Sequence, residues 1–185
     1  MRARVVVIGL LLVTATGCSP ATGDGGRGTP ADDPLPGQAW ALGDGKVTAA
    51  EYRTAMDRFI ACVQDAGYPV SDPVRSPVDG VTLLYDIEPS GEPEVYNEAV
   101  QRCNLSHLSM VEPTFVEAQR QVMDKKLRPA VADCLRHQGV ALTGRERNVA
   151  EFAAAATDEP MAVECVTKAW TKVYPELPDQ VPIRL

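Results

Sequence analysis

The stretch Phe59-Ile-Ala-Cys62-Val-Gln-Asp-Ala-Gly67-Tyr-Pro69 decides the fold of this 185-residue chain. It is typical of the last turns of a helix that carries a cysteine and is ended by a glycine. A second copy occurs at Val131-Ala-Asp-Cys134-Leu-Arg-His-Gln-Gly139-Val-Ala. Each copy precedes another helix-like stretch with one further cysteine, first Cys103 and then Cys165. The sequence therefore predicts a helix–loop–helix unit, closed by two cysteines and used twice.

This unit also selects a disulfide pairing. Apart from Cys18, the chain has four cysteines, an even number that favours disulfides in an exported protein. Four cysteines allow three pairings, and the duplicated unit favours Cys62–Cys103 with Cys134–Cys165. Each bridge would then join the two helices of its own unit.

A metal site is the alternative use of the same cysteines. His107 follows Cys103 by four residues and His137 follows Cys134 by three, so on helices each pair would share a face, as zinc ligation requires. These are the only two histidines in the chain. Cys62 and Cys165 have no such neighbour, and export favours oxidation, so we predict disulfides and no resident metal or cofactor.

The N-terminus has the pattern of an export signal. Arg2 and Arg4 precede a short apolar run, Val5 to Val13, and small residues follow it. Ala15-Thr16-Gly17-Cys18 resembles the lipobox of a bacterial lipoprotein signal. The resemblance implies cleavage after residue 17, acylation of Cys18 and attachment to membrane lipid on the extracytoplasmic face. The alternative is an ordinary secreted protein in which Cys18 is incidental.

The remainder divides into a tether and a folded domain. Residues 18–46 are rich in Gly, Pro, Asp and Ala, a composition that predicts a flexible tether. Residues 47–185 are predicted to form one mainly α-helical domain of four to five helices with a minor strand or hairpin. The strand is expected at Val81 to Ile87.

Helix starts are marked by capping residues. Thr48 with Glu51 and Asn148 with Glu151 have the spacing of capping boxes, and Pro93 and Pro160 suit the first turn of a helix. Between residues 113 and 138 the apolar period continues across Pro129, which predicts one long helix kinked at that proline. Residues 40–51 also imitate an EF-hand loop, but Trp40 and Leu42 would occupy carboxylate positions.

Composition and motifs restrict the function. The formal charge is −7, which argues against a nucleic-acid-binding surface. The chain contains no nucleophile elbow, phosphate-binding loop or His-Glu-x-x-His motif. Carboxylates are numerous, so a cell-wall hydrolase that uses a carboxylate pair stays an alternative, but the sequence does not select a pair.

The two units resemble a family of uncharacterised actinobacterial secreted proteins and lipoproteins. The similarity lies in Cys134-Leu-Arg136-His-Gln-Gly139 and in Tyr68-Pro69-Val-Ser-Asp72-Pro73, while Gln64 replaces the family's arginine in the first unit. The resemblance implies intramolecular disulfides and export, and it implies no activity.

Together these patterns favour a non-catalytic binding or interaction module at the cell envelope, with a cell-wall component or an envelope protein as partner. The polar, proline-rich residues 68–92 lie between two predicted helices, so we expect them to form the contact surface, with Tyr68 and Tyr85 as its aromatic residues.

Overall fold

Seven α-helices and one small antiparallel sheet make up the regular structure of the described residues. The computed structural model describes residues 35–178 and 181–184. The mainly helical prediction is confirmed, and the number of helices exceeds the expected four to five. The elements are α1 (Ala39–Leu42), α2 (Ala49–Asp65), β1 (Val74–Arg75), β2 (Leu83–Leu84), α3 (Pro93–His107), α4 (Val111–Glu117), α5 (Leu127–His137), α6 (Val149–Ala156) and α7 (Glu159–Val173).

The first of two hydrophobic clusters is built on α2. Thr48 caps this helix, and its hydroxyl and Glu51 form the predicted reciprocal capping box. The apolar face of α2 packs against α3 and α4. A disulfide between Cys62 and Cys103 joins α2 to α3, with the two Cα atoms 5.7 Å apart. The buried core includes Met56, Phe59, Val63, Ala99, Val111, Phe115 and Val116.

The second cluster is built on α5 and α7, with α6 packed against α7. Asp158 caps α7 by accepting a hydrogen bond from the Met161 N–H at 2.9 Å. A disulfide between Cys134 and Cys165 joins α5 to α7, with the two Cα atoms 5.6 Å apart. Both predicted pairings are therefore confirmed. The buried core includes Met123, Leu127, Val131, Leu135, Phe152, Val166 and Trp170.

The two cysteine-bearing helices end in the same way. Gly67 has φ +94° and Gly139 has φ +85°, a left-handed conformation that favours glycine. After α2, the N–H groups of Gly67 and Tyr68 donate to the carbonyls of Gln64 and Val63. After α5, Gly139 and Val140 donate to Arg136 and Leu135 in the same pattern. Each is a Schellman motif, so the sequence repeat corresponds to a structural repeat.

The long helix predicted over residues 113–138 is wrong. Helix α4 ends at Glu117 and α5 begins at Leu127. Between them, the N–H groups of Val122, Met123 and Asp124 donate to carbonyls outside the segment, at 2.7–2.8 Å. Pro129 lies in the first turn of α5, where the N–H that proline lacks would have no partner within the helix.

The predicted boundary between the tether and the folded domain is at residue 46, but the folded part begins earlier in the chain. Helix α1 falls inside the predicted tether, and Gln38 and Ala41 are buried. The Gln38 amide nitrogen donates to the Leu105 carbonyl and the Ser109 hydroxyl, and its oxygen accepts from the N–H groups of Met110 and Val111. These bonds fix residues 35–46 to the junction of α3 and α4. The rest of the predicted tether, residues 18–34, lies outside the described residues.

The predicted strand over Val81 to Ile87 forms only in part. Leu83 and Leu84 pair with Arg75 and Val74 in an antiparallel two-stranded sheet, and a single bridge joins Val70 to Ile87. The turn between the strands is closed by Asp79, whose carboxylate accepts from the Val81 and Thr82 N–H groups and the Thr82 hydroxyl. This hairpin packs against the first cluster through residues such as Leu83, Tyr85 and Ile87.

Candidate functional site

A groove of about 660 Å³ is formed by α3, α4, Tyr85 and Arg184, which lies near the C-terminus. Its wall is mixed, because apolar side chains from α2 and α3 lie beside amides and charged groups. A second depression, of about 390 Å³, shares Tyr85 and Glu112 with it and is closed by Val181 and Pro182. The polar or aromatic side chains that line the main groove include Tyr85, Asn97, Gln101, Asn104, Glu112 and Arg184.

Glu112 is the central ionisable group of this groove. It lies in the first turn of α4, and its side chain is 18% exposed. Its Oε2 accepts a hydrogen bond from the Tyr52 hydroxyl at 2.7 Å. The same hydroxyl oxygen accepts from the Leu83 N–H at 3.0 Å. Helix α2 and strand β2 therefore hold Glu112 in place through one phenol group.

Burial controls the acid–base behaviour of these groups. Burial raises the pKa of Glu112 above its ordinary value of 4.5, and the Tyr52 hydrogen bond and the positive charge of Arg184 only partly oppose this. Burial and the neighbouring Glu112 raise the pKa of Tyr85 to about 12. The same two causes also raise the pKa of Tyr52. The groove therefore presents a carboxyl group that holds its proton more tightly than an exposed glutamate does.

Arg184 is the cation of the groove. Its guanidinium lies 3.7 Å from Oε1 of Glu112 and 3.6 Å from Oε1 of Glu117. Its Nε is buried and has no hydrogen-bond partner among the described residues. The neighbouring Val181 and Ile183 pack against the second hydrophobic cluster. The C-terminal segment thus places the guanidinium of Arg184, whose donors are only partly satisfied, next to Glu112 on α4.

The structure separates the two tyrosines predicted to form a contact surface. Tyr68 is only 7% exposed and packs edge-on against Tyr96, with ring centroids 5.0 Å apart. Its ring belongs to the hydrophobic core, so the prediction that it contacts a partner is wrong. Tyr85 is half-buried, packs against Phe59 at 5.2 Å, and lines the groove. Of the two rings, Tyr85 is therefore the one that a ligand could contact.

The metal alternative does not fit the structure. Cys103 and Cys134 lie in different disulfides, so neither supplies the thiolate that zinc requires. His107 is half-buried on α3, while His137 is exposed and its Nδ1 lies 2.7 Å from the Asp133 carbonyl oxygen. Across the described residues, no group of three or more His, Cys, Asp or Glu side chains could hold a metal ion.

The alternative of a hydrolase with a carboxylate pair is not supported in this groove, because the second carboxylate is missing. Within the part of the chain that the structure describes, Glu112 is the only carboxylate lining the groove. Asp79, whose charge contributes to the raised pKa of Glu112, is 3% exposed and has its oxygens occupied by the turn that it closes. A glycosidase of this type needs two accessible carboxyl groups on opposite sides of the scissile bond.

Sequence reasoning missed Glu112, Tyr52 and Arg184 as site residues. The only local signal is that Glu112 lies beside Val111 and close to Phe115, both of which are buried. An acidic residue next to an apolar face suggests a half-buried carboxylate. Nothing local indicates that Tyr52 or Arg184 would be its neighbour, because both come from distant parts of the chain.

The predicted signal peptide, residues 1–17, and the predicted acylation site Cys18 lie outside the described residues. None of the seven described helices combines the length and hydropathy needed to cross a membrane.

Comparisons with models of protein families, with curated proteins and with solved structures found no match to this chain.

Proposed function

We propose that this protein is a lipid-anchored, non-catalytic binding module on the extracytoplasmic face of the cell membrane, related to the actinobacterial lipoproteins that its repeated units resemble. Membrane attachment would come from acylation of Cys18 in the lipobox Ala15-Thr16-Gly17-Cys18. The two disulfides support export, since such bridges persist in oxidising compartments.

The observation that carries the binding proposal is the pairing of Glu112 with Arg184 in the groove. Glu112 accepts hydrogen bonds, and the buried Arg184 Nε–H has no partner among the described residues. A polar ligand in the groove could instead bond to the Glu112 carboxyl group and to the terminal guanidinium nitrogens of Arg184, whose side chain is 28% exposed.

The rim of the groove narrows the chemistry of the ligand. Asn97 and Gln101 are exposed and Asn104 is half-buried, all on α3. A carboxamide both donates and accepts hydrogen bonds, and the half-buried ring of Tyr85 adds an apolar surface. This combination suits a ligand rich in hydroxyl and amide groups, such as a glycan–peptide fragment of the cell wall.

The binding test uses the mature domain without its lipid and a soluble disaccharide–peptide fragment of peptidoglycan as the probe. We expect saturable NMR shifts at the amides of residues 97–112. Glu112→Gln and Arg184→Gln should each weaken binding by about tenfold, the value of one charge-assisted hydrogen bond. Glu176→Gln is the matched control, because Glu176 is exposed and does not line the groove. Equal affinity in all variants, or no shift, would exclude this ligand class.

The anchor is tested separately. In a bacterial host with a lipoprotein pathway, the full chain should fractionate with the membrane, and its mature N-terminal peptide should carry the mass of diacylglycerol on Cys18. Cys18→Ser should release the protein from the membrane fraction while both disulfides still form. An unmodified Cys18 in the mature protein would contradict the anchor without affecting the groove.

A further inference from the structure

A second groove lies in the most basic part of an acidic protein. Residues 120–147 contain seven Lys or Arg and three Asp or Glu, a net charge of +4 in a chain whose total is −7. Three of these cations, Lys125, Arg128 and Arg136, line one groove of about 310 Å³ at α5. It shares no lining residue with the Glu112 groove.

The cations of this groove are poorly compensated. Within the described residues, neither Lys125 nor Arg128 forms an ion pair. The Nε of Arg128 is buried and has no hydrogen-bond partner there. Arg136 pairs with Asp133 at 2.9 Å, but both side chains are exposed, and water weakens such pairs. At least two positive charges are therefore free to act on a ligand.

Glu146 is the one carboxylate among the lining residues of this groove. Its Oε1 accepts from the Thr143 N–H at 2.8 Å and from the Thr143 hydroxyl at 2.7 Å. Burial opposes its ionisation, but the hydrogen bonds from Thr143 and from the backbone N–H groups of Gly144 and Glu146 together prevail and lower the pKa of Glu146 to about 2. It therefore stays negative, and it offsets only one of the three cations.

The position of the cations is unfavourable for the free protein. Arg128 lies in the first turn of α5, beside Lys126 and Lys125, and this turn contains no acidic residue. Positive side chains near a helix N-terminus oppose the helix dipole. The Asp124 carboxylate, which accepts from the Lys126 N–H at 2.7 Å just before this turn, offsets part of the conflict, and an anionic ligand would offset more of it.

We propose that this groove binds a phosphate group, free or as part of a small phosphodiester. The terminal nitrogens of the Arg128 guanidinium would donate to phosphate oxygens, and the Lys125 ammonium would add a second charge. Pro129, which is exposed, lines the same groove and supplies apolar surface for the carbon skeleton next to the phosphate. The site goes beyond the proposed glycan-binding groove and does not depend on it.

The test titrates the mature domain with inorganic phosphate and with glycerol phosphate at constant ionic strength, using chloride as the reference anion. We expect saturable NMR shifts at residues 125–128 and 143–147. Arg128→Gln should weaken binding by about tenfold or more. Lys172→Gln, which removes the same charge from an exposed position outside the groove, should leave the affinity unchanged.

Two further measurements complete the test. Lys125→Gln alters an exposed side chain and should also weaken binding, so the proposal remains testable if Arg128→Gln does not fold. Vesicles containing phosphatidylglycerol, compared with neutral vesicles, distinguish a lipid headgroup from a soluble phosphate. Equal phosphate affinity in the Arg128, Lys125 and Lys172 variants, or shifts that chloride reproduces, would overturn the proposal.

Discussion

The hydroxyl of Tyr52 donates to Oε2 of Glu112 at 2.7 Å and accepts from the Leu83 N–H at 3.0 Å. One phenol oxygen thus connects α2, α4 and β2. The Tyr52 ring also stacks on Phe115, with centroids 4.8 Å apart. The position of the groove carboxylate therefore depends on a residue that belongs mostly to the hydrophobic core.

Tyr52→Phe removes this oxygen and retains the ring. Because the Leu83 N–H and the Glu112 carboxyl both lose a partner, we expect unfolding free energy to fall by about 1–3 kcal/mol. Urea denaturation measures this. Tyr96→Phe is the matched control, because Tyr96 is half-buried and its hydroxyl has no hydrogen-bond partner in the described residues. Equal losses in the two variants would mean that the Tyr52 oxygen does not hold the groove together.

The raised pKa of Glu112 predicts a pH dependence of stability. Since burial raises the pKa in the folded state, the folded protein retains this proton at pH values where the unfolded chain, with a pKa near 4.5, has lost it. The contribution of Glu112 to stability therefore falls as pH rises from about 4.5 through its folded-state pKa. It is constant above that point.

Glu112→Gln cannot ionise and isolates this effect. Unfolding free energies of the variant and the wild type are measured by urea denaturation from pH 4 to pH 8. We expect the difference, variant minus wild type, to increase with pH by at most about 1.4 kcal/mol per unit and then to level off. A difference that stays flat or decreases across this range would contradict a raised pKa.

Local sequence was sufficient for the start of α2, for the glycine ends of α2 and α5, and for the disulfides. The Thr48 cap and the glycines at 67 and 139 act within one turn of chain, so their neighbours in sequence are also their partners in space. The disulfide pairing followed because Cys62 and Cys134 precede those glycines by the same spacing. Features of this kind depend little on the tertiary fold.

The Glu112 groove could not be predicted in the same way. Its donors, Tyr52 and Arg184, come from α2 and from the C-terminal segment, so only the tertiary packing brings them together. The long helix predicted across Pro129 failed for a related reason. The same apolar period is compatible with one long helix or with two shorter ones. The N–H groups of residues 122–124, between α4 and α5, donate to the carbonyls of Asp79, Arg147 and Pro77, which are distant in sequence.

Gly37, just before α1, lies too close to α3 to carry a side chain. A Cβ atom there would lie 2.1 Å from the Ser106 carbonyl oxygen. Gly37→Ala should therefore displace α1 and disturb the Gln38 hydrogen bonds, with a loss of about 1–3 kcal/mol in urea denaturation. Gly43→Ala is the control, because its Cβ would meet only the Ala39 carbonyl oxygen at 3.4 Å. If both variants were equally stable, residues 35–46 would not be packed as described.

Each of the two disulfides is expected to contribute separately to the unfolding free energy. The cysteines of the two bridges are 41 and 31 residues apart in sequence. By loop-closure entropy, each bridge should raise the unfolding free energy by about 4 kcal/mol. Replacing either pair by alanine should leave a folded but weakened protein. Replacing both should leave little of the roughly 5–15 kcal/mol typical of a domain. Urea denaturation of the two paired variants measures each contribution.

The combined variant tests how independent the two hydrophobic clusters are. Cys62–Cys103 lies in the cluster of α2 and α3, and Cys134–Cys165 lies in that of α5 and α7. Losses at distant sites with no shared partners add to within about 0.5 kcal/mol, so the combined loss should equal the sum of the two. A larger combined loss would indicate that each bridge also supports the other cluster. Recovery of a Cys62–Cys134 peptide from the unreduced wild-type protein would contradict the pairing itself.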